Sequence, residues 1–331
     1  MNFEVIYKTS TSFVVEIKEN GYFSSGQEHE IYVNGKLAEK SDRNVATVFG
    51  LEPATTYEVQ IKCGADESGT FRVATKDSYV VLNVKDFGAK GDGETDDTPF
   101  IQCAINACPR GGSVYIPAGV YKIYPLFLKS DLTLDIGKDA VLSAFTDRTR
   151  FPILPGKIEC VDKEKEYLLG TWEGDPLDMF AGIITGINVE NVVITGQGTI
   201  DGCASRDNWW DNPKVKRIAW RPRMIFLNHC RNVVLHGITV KNSPSWNIHP
   251  YFSEDLKFIG ISVLGPKDSP NTDGLDPESC RNVDIIGVHF SVGDDCIAIK
   301  SGKIYMGAKY RTPSENITIR QCCMRDGHGS I

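Results

Sequence analysis

The chain has 331 residues, of which 41% are hydrophobic and 24% charged, and its formal net charge is −7. This acidic balance disfavours nucleic acids and anionic membranes as partners, and no apolar run approaches the roughly 18–20 residues that span a bilayer. The start, "MNFEVIYKTSTSFVVEIKEN", lacks the basic and apolar regions of a signal peptide. These features predict a cytoplasmic protein, or a secreted one if a leader has been removed. The ten cysteines show no metal-site spacing, so we expect no bound metal.

Residues 1–76 are predicted to form a small antiparallel β-sandwich. Four segments alternate apolar and polar residues and are separated by turn residues such as Asn34-Gly35: "SFVVEIK", "HEIYVNGK", "TTYEVQIK" and "TFRVATK". The segment "GLEPATTYEVQIKC" (50–63) resembles the fibronectin type III pattern. We expect a spacer or docking module here and assign it no chemistry.

The second domain is predicted to span residues 77–331. A short helix is predicted near its start, at residues 97–108. Asp96 and Asp97 near its start suit capping and the helix dipole. One face of the helix is apolar at Phe100, Ile101, Ala104, Ile105 and Cys108. Strand-like segments follow this helix, which is therefore expected to plug one end of a larger β structure.

From residue 181 onward the sequence repeats a frame of a turn with Asn or Asp, an apolar strand, usually a Gly, and a second strand. The turn residues are Asn191, Asn232, Asp255, Asn282 and Asn316, at steps of 41, 23, 27 and 34 residues. A basic step in the low twenties with loop insertions is typical of coils that stack and bury each other's apolar faces. The pattern predicts an all-β chain with a right-handed parallel β-helix. A second sandwich fits poorly, because its hairpins would need turns at shorter intervals.

Four carboxylates lie close together in the segment 269–302: Asp273, Asp276, Asp294 and Asp295. Asp273 and Asp294 are 21 residues apart, which is one coil, and stacked strands lie about 4.8 Å apart. Like charges at that range push at least one pKa upward, and carboxylates with separated pKa values supply an acid and a base for glycoside hydrolysis. Clustered Asp residues also bind calcium, and spacing alone leaves both uses open.

Three blocks in order, "NTDG" (271–274), "GDDC" (293–296) and "GHGS" (327–330), resemble signature blocks of the polygalacturonases, glycoside hydrolase family 28. The blocks "FGAKGDGETDDT", "GTIDG", "RPRMIFLNHCRNV" and "NSPSWNIHP" add to the likeness. The resemblance implies inverting hydrolysis of α-1,4-galacturonosyl bonds in a pectic polysaccharide or oligogalacturonide, without a cofactor. It implies that Asp294 is the general acid and that Asp273 and Asp295 hold and deprotonate the water. His328 would tune the acid, and Asn271 would contact substrate.

One block of this family has no counterpart in the sequence. The Arg-x-Lys strand that follows the histidine and binds the galacturonate carboxylate is missing, because the residues given stop at "GHGSI". This predicts that the domain 77–331 is incomplete at its C-terminus and belongs to a longer protein. Lys300, Arg223 and Arg311 are the alternative sources of positive charge for the substrate.

Two insertions, 145–182 and 203–223, bear on the mode of attack. The second carries Trp209, Trp210 and Trp220, whose flat faces suit sugar rings. In proteins that resemble polygalacturonases, such insertions close the groove, so an exo-acting enzyme is expected. The alternatives are hydrolysis of rhamnogalacturonan or xylogalacturonan, and a non-catalytic β-helix that only binds carbohydrate.

Overall fold

A computed structural model describes residues 2–18, 21–161 and 165–331. The first region consists of two antiparallel sheets, β1-β2-β5 and β4-β3-β6, with β7 and β8 paired to β6. Its strands are β1 (Phe3–Lys8), β2 (Phe13–Ile17), β3 (Ser24–Val33), β4 (Lys36–Arg43), β5 (Val45–Val48), β6 (Thr56–Cys63), β7 (Asp66–Glu67) and β8 (Phe71–Ala74). The inward residues of the alternating pattern, including Val15, Ile31, Val59 and Ile61, form a shared core. The predicted antiparallel sandwich is confirmed.

The second region is built of short strands joined by turns and loops. Its first elements are β9 (Val81–Asn83), a 3-10 helix (Val84–Phe87), β10 (Asp92–Asp96), α1 (Thr98–Ala107), β11 (Ser113–Ile116), β12 (Gly119–Ile123), β13 (Leu126–Phe127), β14 (Leu132–Ile136), β15 (Ala140–Ala144), a 3-10 helix (Arg148–Arg150), β16 (Ile153–Leu154), β17 (Ile158–Glu159), β18 (Glu166–Tyr167) and β19 (Met179–Phe180). The remaining elements are β20 (Ile184–Ile187), β21 (Glu190–Gly196), β22 (Thr199–Asp201), β23 (Ile225–Asn228), β24 (Arg231–His236), β25 (Thr239–Lys241), β26 (Ile248–Tyr251), β27 (Glu254–Ile259), β28 (Ser262–Leu264), β29 (Arg281–Ile286), β30 (His289–Ser291), α2 (Ile304–Lys309), β31 (Glu315–Arg320) and β32 (Cys323–Asp326).

Most of these strands stack into three parallel sheets, whereas β16 pairs with β19 and β17 pairs with β18 in two antiparallel ribbons. Sheet A runs β10-β12-β15-β22-β25-β28-β30-β32, sheet B runs β9-β11-β14-β21-β24-β27-β29-β31, and sheet C runs β13-β20-β23-β26. The chain visits B, A and C in turn, so each neighbour within a sheet belongs to the next coil. The repeated frame therefore describes one coil of a parallel β-helix, as predicted.

The register of sheet B explains the apolar positions of the repeat. Val192, Val233, Leu256, Val283 and Ile317 are successive partners in neighbouring strands. The first four are buried, and each lies between the side chains of the coils on either side. One coil could not bury these groups alone, and stacking removes them from water at roughly 25 cal/mol per Å² of apolar surface.

The Asn and Asp residues of the frame form a ladder along one corner. Asn191, Asn232, Asp255, Asn282 and Asn316 all have a φ between 52° and 58°, a left-handed conformation that Asn and Asp tolerate better than other non-glycine residues. Asn232 Nδ2 donates to Asn191 Oδ1 at 2.8 Å, and Asn282 Nδ2 donates to Asp255 Oδ1 at 2.9 Å. These side-chain hydrogen bonds therefore hold the turn of one coil in position against the turn of its neighbour.

Helix α1 lies at the N-terminal end of the coils, where Ile101, Ala104 and Ile105 join the main core. Asp96 Oδ1 accepts from the Thr98 N–H at 3.1 Å, as predicted for the start of the helix, but Asp97 differs from the prediction. The Asp97 carboxylate makes no cap bond within the helix and accepts instead from the backbone N–H groups of Lys90 and Gly91, at 2.7 and 2.9 Å. Asp97 therefore holds the preceding loop against the helix.

The N-terminal sandwich packs against the outside of the β-helix. Val45 packs with Ile259 and Ile286, and Arg320 donates two hydrogen bonds to the buried Glu16 carboxylate, at 2.8 and 2.9 Å. The apolar contact and the bidentate pair together fix the position of the sandwich on sheet B.

His236 lies at the centre of this interface and is completely buried. Its Nδ1 is 2.9 Å from Thr195 Oγ1, its Nε2 is 3.1 Å from Thr47 Oγ1, and its ring stacks on Phe49. Burial lowers the pKa of His236 to about 3, because the charged form would lose its hydration. The imidazole is therefore a neutral part of the interface.

Candidate active site

Three successive coils place the blocks 271–274, 293–296 and 327–330 in register. The Gly274 N–H donates to the carbonyl of Asp295 at 2.8 Å, and the His328 N–H donates to the carbonyl of Asp294 at 3.0 Å. Gly274 permits this approach, since a Cβ there would lie 2.5 Å from the carbonyl of Cys296. The stacking that the 21-residue spacing predicts is therefore present.

The side chains of Asp294, Asp295 and His328 meet on one face of these coils. One ligand atom from each lies within 4.8 Å of the others, and His328 Nδ1 is 3.8 Å from Asp294 Oδ1. The His328 side chain is 86% exposed and that of Asp294 26% exposed, whereas that of Asp273 is only 7% exposed. The group thus has an open side at His328 and a closed side at Asp273.

The electrostatics of the group separate Asp294 from an ordinary surface carboxylate. Partial burial raises its pKa, and the negative charges of Asp273 and Asp295 raise it further, while His328 opposes them. Asp294 therefore holds its proton to a higher pH than a free aspartic acid does, which suits a group that must donate a proton.

Asp273 is paired with Lys300 on the closed side. Lys300 Nζ is 3.3 Å from Asp273 Oδ2 and 3.2 Å from Asp276 Oδ1, and it lies 4.3 Å from the centre of the Trp246 ring. Burial alone would lower the pKa of Lys300, but the two carboxylates outweigh it and raise the pKa. Lys300 is therefore a charged and partly exposed neighbour of the site.

Asn271 is fixed by a residue to which the sequence analysis gave no role. Arg221 Nη2 donates to Asn271 Oδ1 at 2.6 Å, and Arg221 Nη1 donates to the carbonyls of Pro244 and Pro270. The bond turns the amide oxygen of Asn271 toward Arg221, so its Nδ2 group points the other way. The only signal in the sequence was the block "RPRMIF", which does not say where Arg221 points.

A buried polar layer lies beneath the cleft, and it corrects the prediction for Arg223. This guanidinium is completely buried, so a direct substrate contact by Arg223 is wrong. It lies 4.7 and 4.2 Å from the ring centres of Trp172 and Trp246, and its Nε is 3.3 Å from His249 Nδ1. His249 Nε2 in turn is 2.9 Å from Glu278 Oε2. Burial lowers the pKa of Arg223 to about 10 and that of His249 to about 4.

The comparison with known families agrees with this arrangement. The family model described as Glycosyl hydrolases family 28 matches residues 162–331, which is half of the chain. The chain belongs to glycosyl hydrolase family 28. A second model, Rhamnogalacturonase A/epimerase, pectate lyase-like, matches residues 81–137 at the start of the β-helix. The fibronectin type III likeness of residues 1–76 lies outside both matches and stays a prediction.

Relatives of several kinds are similar to this family 28 chain. A probable polygalacturonase of Vitis vinifera is 35% identical over 243 residues, which cover 71% of this chain and 47% of the relative. An endo-polygalacturonase of Pectobacterium parmentieri is 33% identical, covering 72% and 58%. An exo-poly-alpha-D-galacturonosidase of Dickeya chrysanthemi is 26% identical, covering 86% and 54%. The chain spans about half the length of these curated relatives, which include both endo- and exo-acting enzymes.

The backbone is similar to that of the Yersinia enterocolitica family 28 exopolygalacturonase. The TM-score is 0.66 at 23% identity, and the match covers 90% of this chain and 65% of that one. The fold is the right-handed parallel β-helix that the repeats predict. Within the described residues, no helix is long and apolar enough to cross a membrane.

The insertion 145–182 of this family 28 chain forms a wall beside the cleft; its residues 162–164 lie outside the described part. Leu168 and Met179 pack with Phe226 and Tyr251 on the outer side of sheet C. The wall is therefore part of the folded core and not a free loop.

The tip of the same insertion, residues 172–175, is bonded to Lys303, which directly precedes α2. The Gly174 carbonyl accepts from the Lys303 N–H at 2.9 Å, and Lys303 Nζ is 3.5 Å from Asp175. Trp172 stacks on the partly exposed Trp220 with ring centres 4.6 Å apart. These contacts join the two insertions to the segment that follows Lys300, the residue that pairs with Asp273.

The structure corrects the prediction that Trp209 and Trp210 stack on sugar rings. Trp209 is completely buried and packs against Phe151 and Phe180. Trp210 is also buried, and its Nε1 donates to the Ser243 carbonyl at 3.0 Å. Neither ring offers a face to substrate, because insertion 203–223 folds them into the core; Trp246 is buried as well.

The calcium alternative does not fit these donors well. The one group among the described residues that could hold a metal ion is Asp294, Asp295 and His328. Calcium takes six to eight oxygen ligands, whereas this group supplies two carboxylates and an imidazole. The set is better suited to proton transfer than to calcium.

Proposed function

We propose that this chain hydrolyses α-1,4-galacturonosyl linkages of pectic chains with inversion of the anomeric centre. The observation that carries the proposal is that Asp294, Asp295 and His328 meet on one face of the stacked coils, where the charge of Asp273 also acts on Asp294. Membership of family 28 and the polygalacturonases among its relatives support the pectic substrate.

In this proposal Asp294 protonates the leaving glycosidic oxygen. Its raised pKa supports that role, since an acid must remain protonated until it reaches the transition state. Asp273 and Asp295 hold the attacking water and remove its proton, and Lys300 pairs with Asp273 at 3.3 Å. His328 lies at the open side of Asp294 and adjusts its protonation as the sugar binds.

Substrate contacts are assigned to the groups that border the cleft. Asn271 donates through the amide group that Arg221 turns outward. Lys300 is partly exposed and attracts the carboxylate of a galacturonate unit. The partly exposed Trp220 supplies an aromatic surface.

We propose exo attack, in which the insertion tip at Trp172–Asp175, held by Trp220 and Lys303, closes the cleft on one side. An exo-acting enzyme releases monomers or dimers from polygalacturonate without an early loss of viscosity. Products of random length would overturn exo attack and leave the hydrolysis itself intact.

The test measures reducing ends released from polygalacturonate by the wild-type chain, by Asp294→Asn and by Asp284→Asn. Asp284 pairs with Lys257 on sheet B and serves as the control. We expect Asp294→Asn to lose about 10²–10⁴-fold in kcat, the range that general acid catalysis contributes, and Asp284→Asn to keep wild-type activity. If reducing ends were released only from rhamnogalacturonan or xylogalacturonan, the proposed substrate would be wrong and the hydrolysis would stand. Binding without release would overturn the proposal.

A further inference from the structure

Asp276 is a buried carboxyl group that the proposed mechanism does not use. It lies three residues after Asp273, and its side chain is completely buried. Lys300 Nζ is shared between the two groups, at 3.2 Å from Asp276 Oδ1 and 3.3 Å from Asp273 Oδ2. Two carboxyl groups therefore compete for one ammonium group, which the Trp246 ring covers from the other side.

The surroundings disfavour a negative charge on Asp276. Among the described residues, neither of its oxygens accepts a well-aligned hydrogen bond, and an unsolvated carboxylate without such bonds is very costly. The charged groups that face it are Asp273, Lys300 and, in the buried layer, Arg223. Burial, and then the charge of Asp273, raise the pKa of Asp276 well above its ordinary value. The Asp273 side chain is 7% exposed to solvent, whereas that of Asp276 has no exposed surface.

We propose that Asp276 is a positioning residue whose neutral carboxyl group donates a hydrogen bond to Asp273 and, together with Lys300, orients that carboxylate toward the attacking water. The inference rests on the proposed function of Asp273. Asp276 keeps its proton throughout the reaction, and the proton received from water goes to the Asp273–Asp295 pair. Because Asp276 acts as a donor and not as a charge, an amide can replace it.

The test compares two isosteric replacements, Asp276→Asn, which keeps a donor, and Asp276→Leu, which has none. We expect Asp276→Asn to stay within about threefold of the wild-type kcat, and Asp276→Leu to lose about 10²-fold, as when a preorganised donor is removed. KM should change by less than about threefold in both variants, since the interaction acts on the reacting water. In Asp276→Leu the acidic limb of the kcat/KM profile should move to higher pH, because a carboxylate that loses a donated bond takes up a proton more readily.

A readout that does not depend on turnover is the infrared spectrum of the protein. A protonated carboxyl group has a C=O band distinct from that of a carboxylate, and we expect this band at pH 7 in the wild type and in Asp284→Asn. Because a protonated Asp294 contributes to the same band, the comparison is made in the Asp294→Asn variant, where the band should be present and should disappear when Asp276→Asn is added. This measurement decides the protonation of Asp276 even if Asp276→Leu does not fold.

Two results would overturn the proposal. Equal losses in Asp276→Asn and Asp276→Leu would show that an amide donor does not replace the carboxyl group, and an infrared band in Asp294→Asn that is unchanged by adding Asp276→Asn would show that Asp276 is ionised. A wild-type chain that releases no product would instead refute the proposed hydrolysis, while the infrared band would still report on Asp276.

Discussion

Asn282 offers a direct test of how one corner of the β-helix sets the register of the site. Its φ is 58°, its Nδ2 donates to Asp255 Oδ1 at 2.9 Å, and its Oδ1 accepts from Asn316 Nδ2 at 3.2 Å. The coil that starts here carries Asp294 and Asp295. We consider Asn282→Ala, which loses the ladder and keeps the strained φ, and Asn282→Gly, which loses the ladder and relieves the φ.

The expected destabilisation follows from these two components. Both hydrogen bonds of Asn282 are exposed, so each contributes about 0.5 kcal/mol, the low end of the usual range. A left-handed φ costs a non-glycine residue about 1–2 kcal/mol, of which Asn pays less. Asn282→Gly should therefore lose about 1 kcal/mol, and Asn282→Ala should lose about 2–3 kcal/mol.

The assay is urea unfolding followed by tryptophan fluorescence, since all five tryptophans lie in the β-helix. The midpoints are compared at a common m value, with Asp284→Asn as a control expected within about 0.5 kcal/mol of the wild type. Equal losses in the Gly and Ala variants would refute the role of φ. A loss below about 0.5 kcal/mol in both would refute the contribution of the ladder.

Three further predictions concern the sandwich interface and the cleft. His236 has a folded-state pKa of about 3, below its ordinary 6.5. Its contribution to the unfolding free energy is therefore complete above pH 6.5 and is lost as the pH falls toward 3. The loss is at most about 1.4 kcal/mol per pH unit. The urea midpoint should fall more steeply between pH 7 and pH 4.5 in the wild type than in His236→Gln, and parallel curves would contradict this. A Cβ on Gly237, whose φ is 75°, would lie 2.5 Å from Phe49 Cζ, so Gly237→Ala should cost about 2 kcal/mol of unfolding free energy; Phe49→Ala in the same chain should recover part of it, and full additivity in the double-mutant cycle would count against the clash. Arg221→Lys loses the bond to Asn271, so KM for polygalacturonate should rise about tenfold with a smaller change in kcat; an unchanged KM would remove Asn271 from the substrate contacts.

The sequence was most informative where a repeated position has one physical requirement. The residues that mark the frame, such as Asn232 and Asn282, need a left-handed φ and a partner in the next coil, so their recurrence predicted the stacking. Once the stacking is known, the 21-residue step from Asp273 to Asp294 implies neighbouring coils. The position of Asp273 and Asp294 on neighbouring coils could therefore be predicted from the sequence alone.

The remaining features depend on where side chains outside the repeat come to rest. Trp209 and Arg223 belong to an insertion and its edge, and no periodic pattern says whether such residues face substrate or core. The His249–Glu278 pair joins positions 29 residues apart, and the sequence analysis gave His249 no role. The alternation of Asn247, just before β26, with His249 and Tyr251 inside it was the signal that could have drawn attention to His249.

The connections between the sheets, here called corners, differ in length. This difference separates the residues that set the register of the coils from those that form the candidate active site. From β21–β22 through β31–β32, each strand of sheet B is followed after two residues by a strand of sheet A. The connections that leave sheet A vary widely, and they carry insertion 203–223 and both acidic blocks. An extra residue in a two-residue corner would shift the sheet A strand by one position and turn its core side chains outward. An extra residue in the long corner would change only a loop. The short corner therefore imposes the alignment that Asp273 and Asp294 require, and the long corner is where the length of an insertion can change without cost to the stacking.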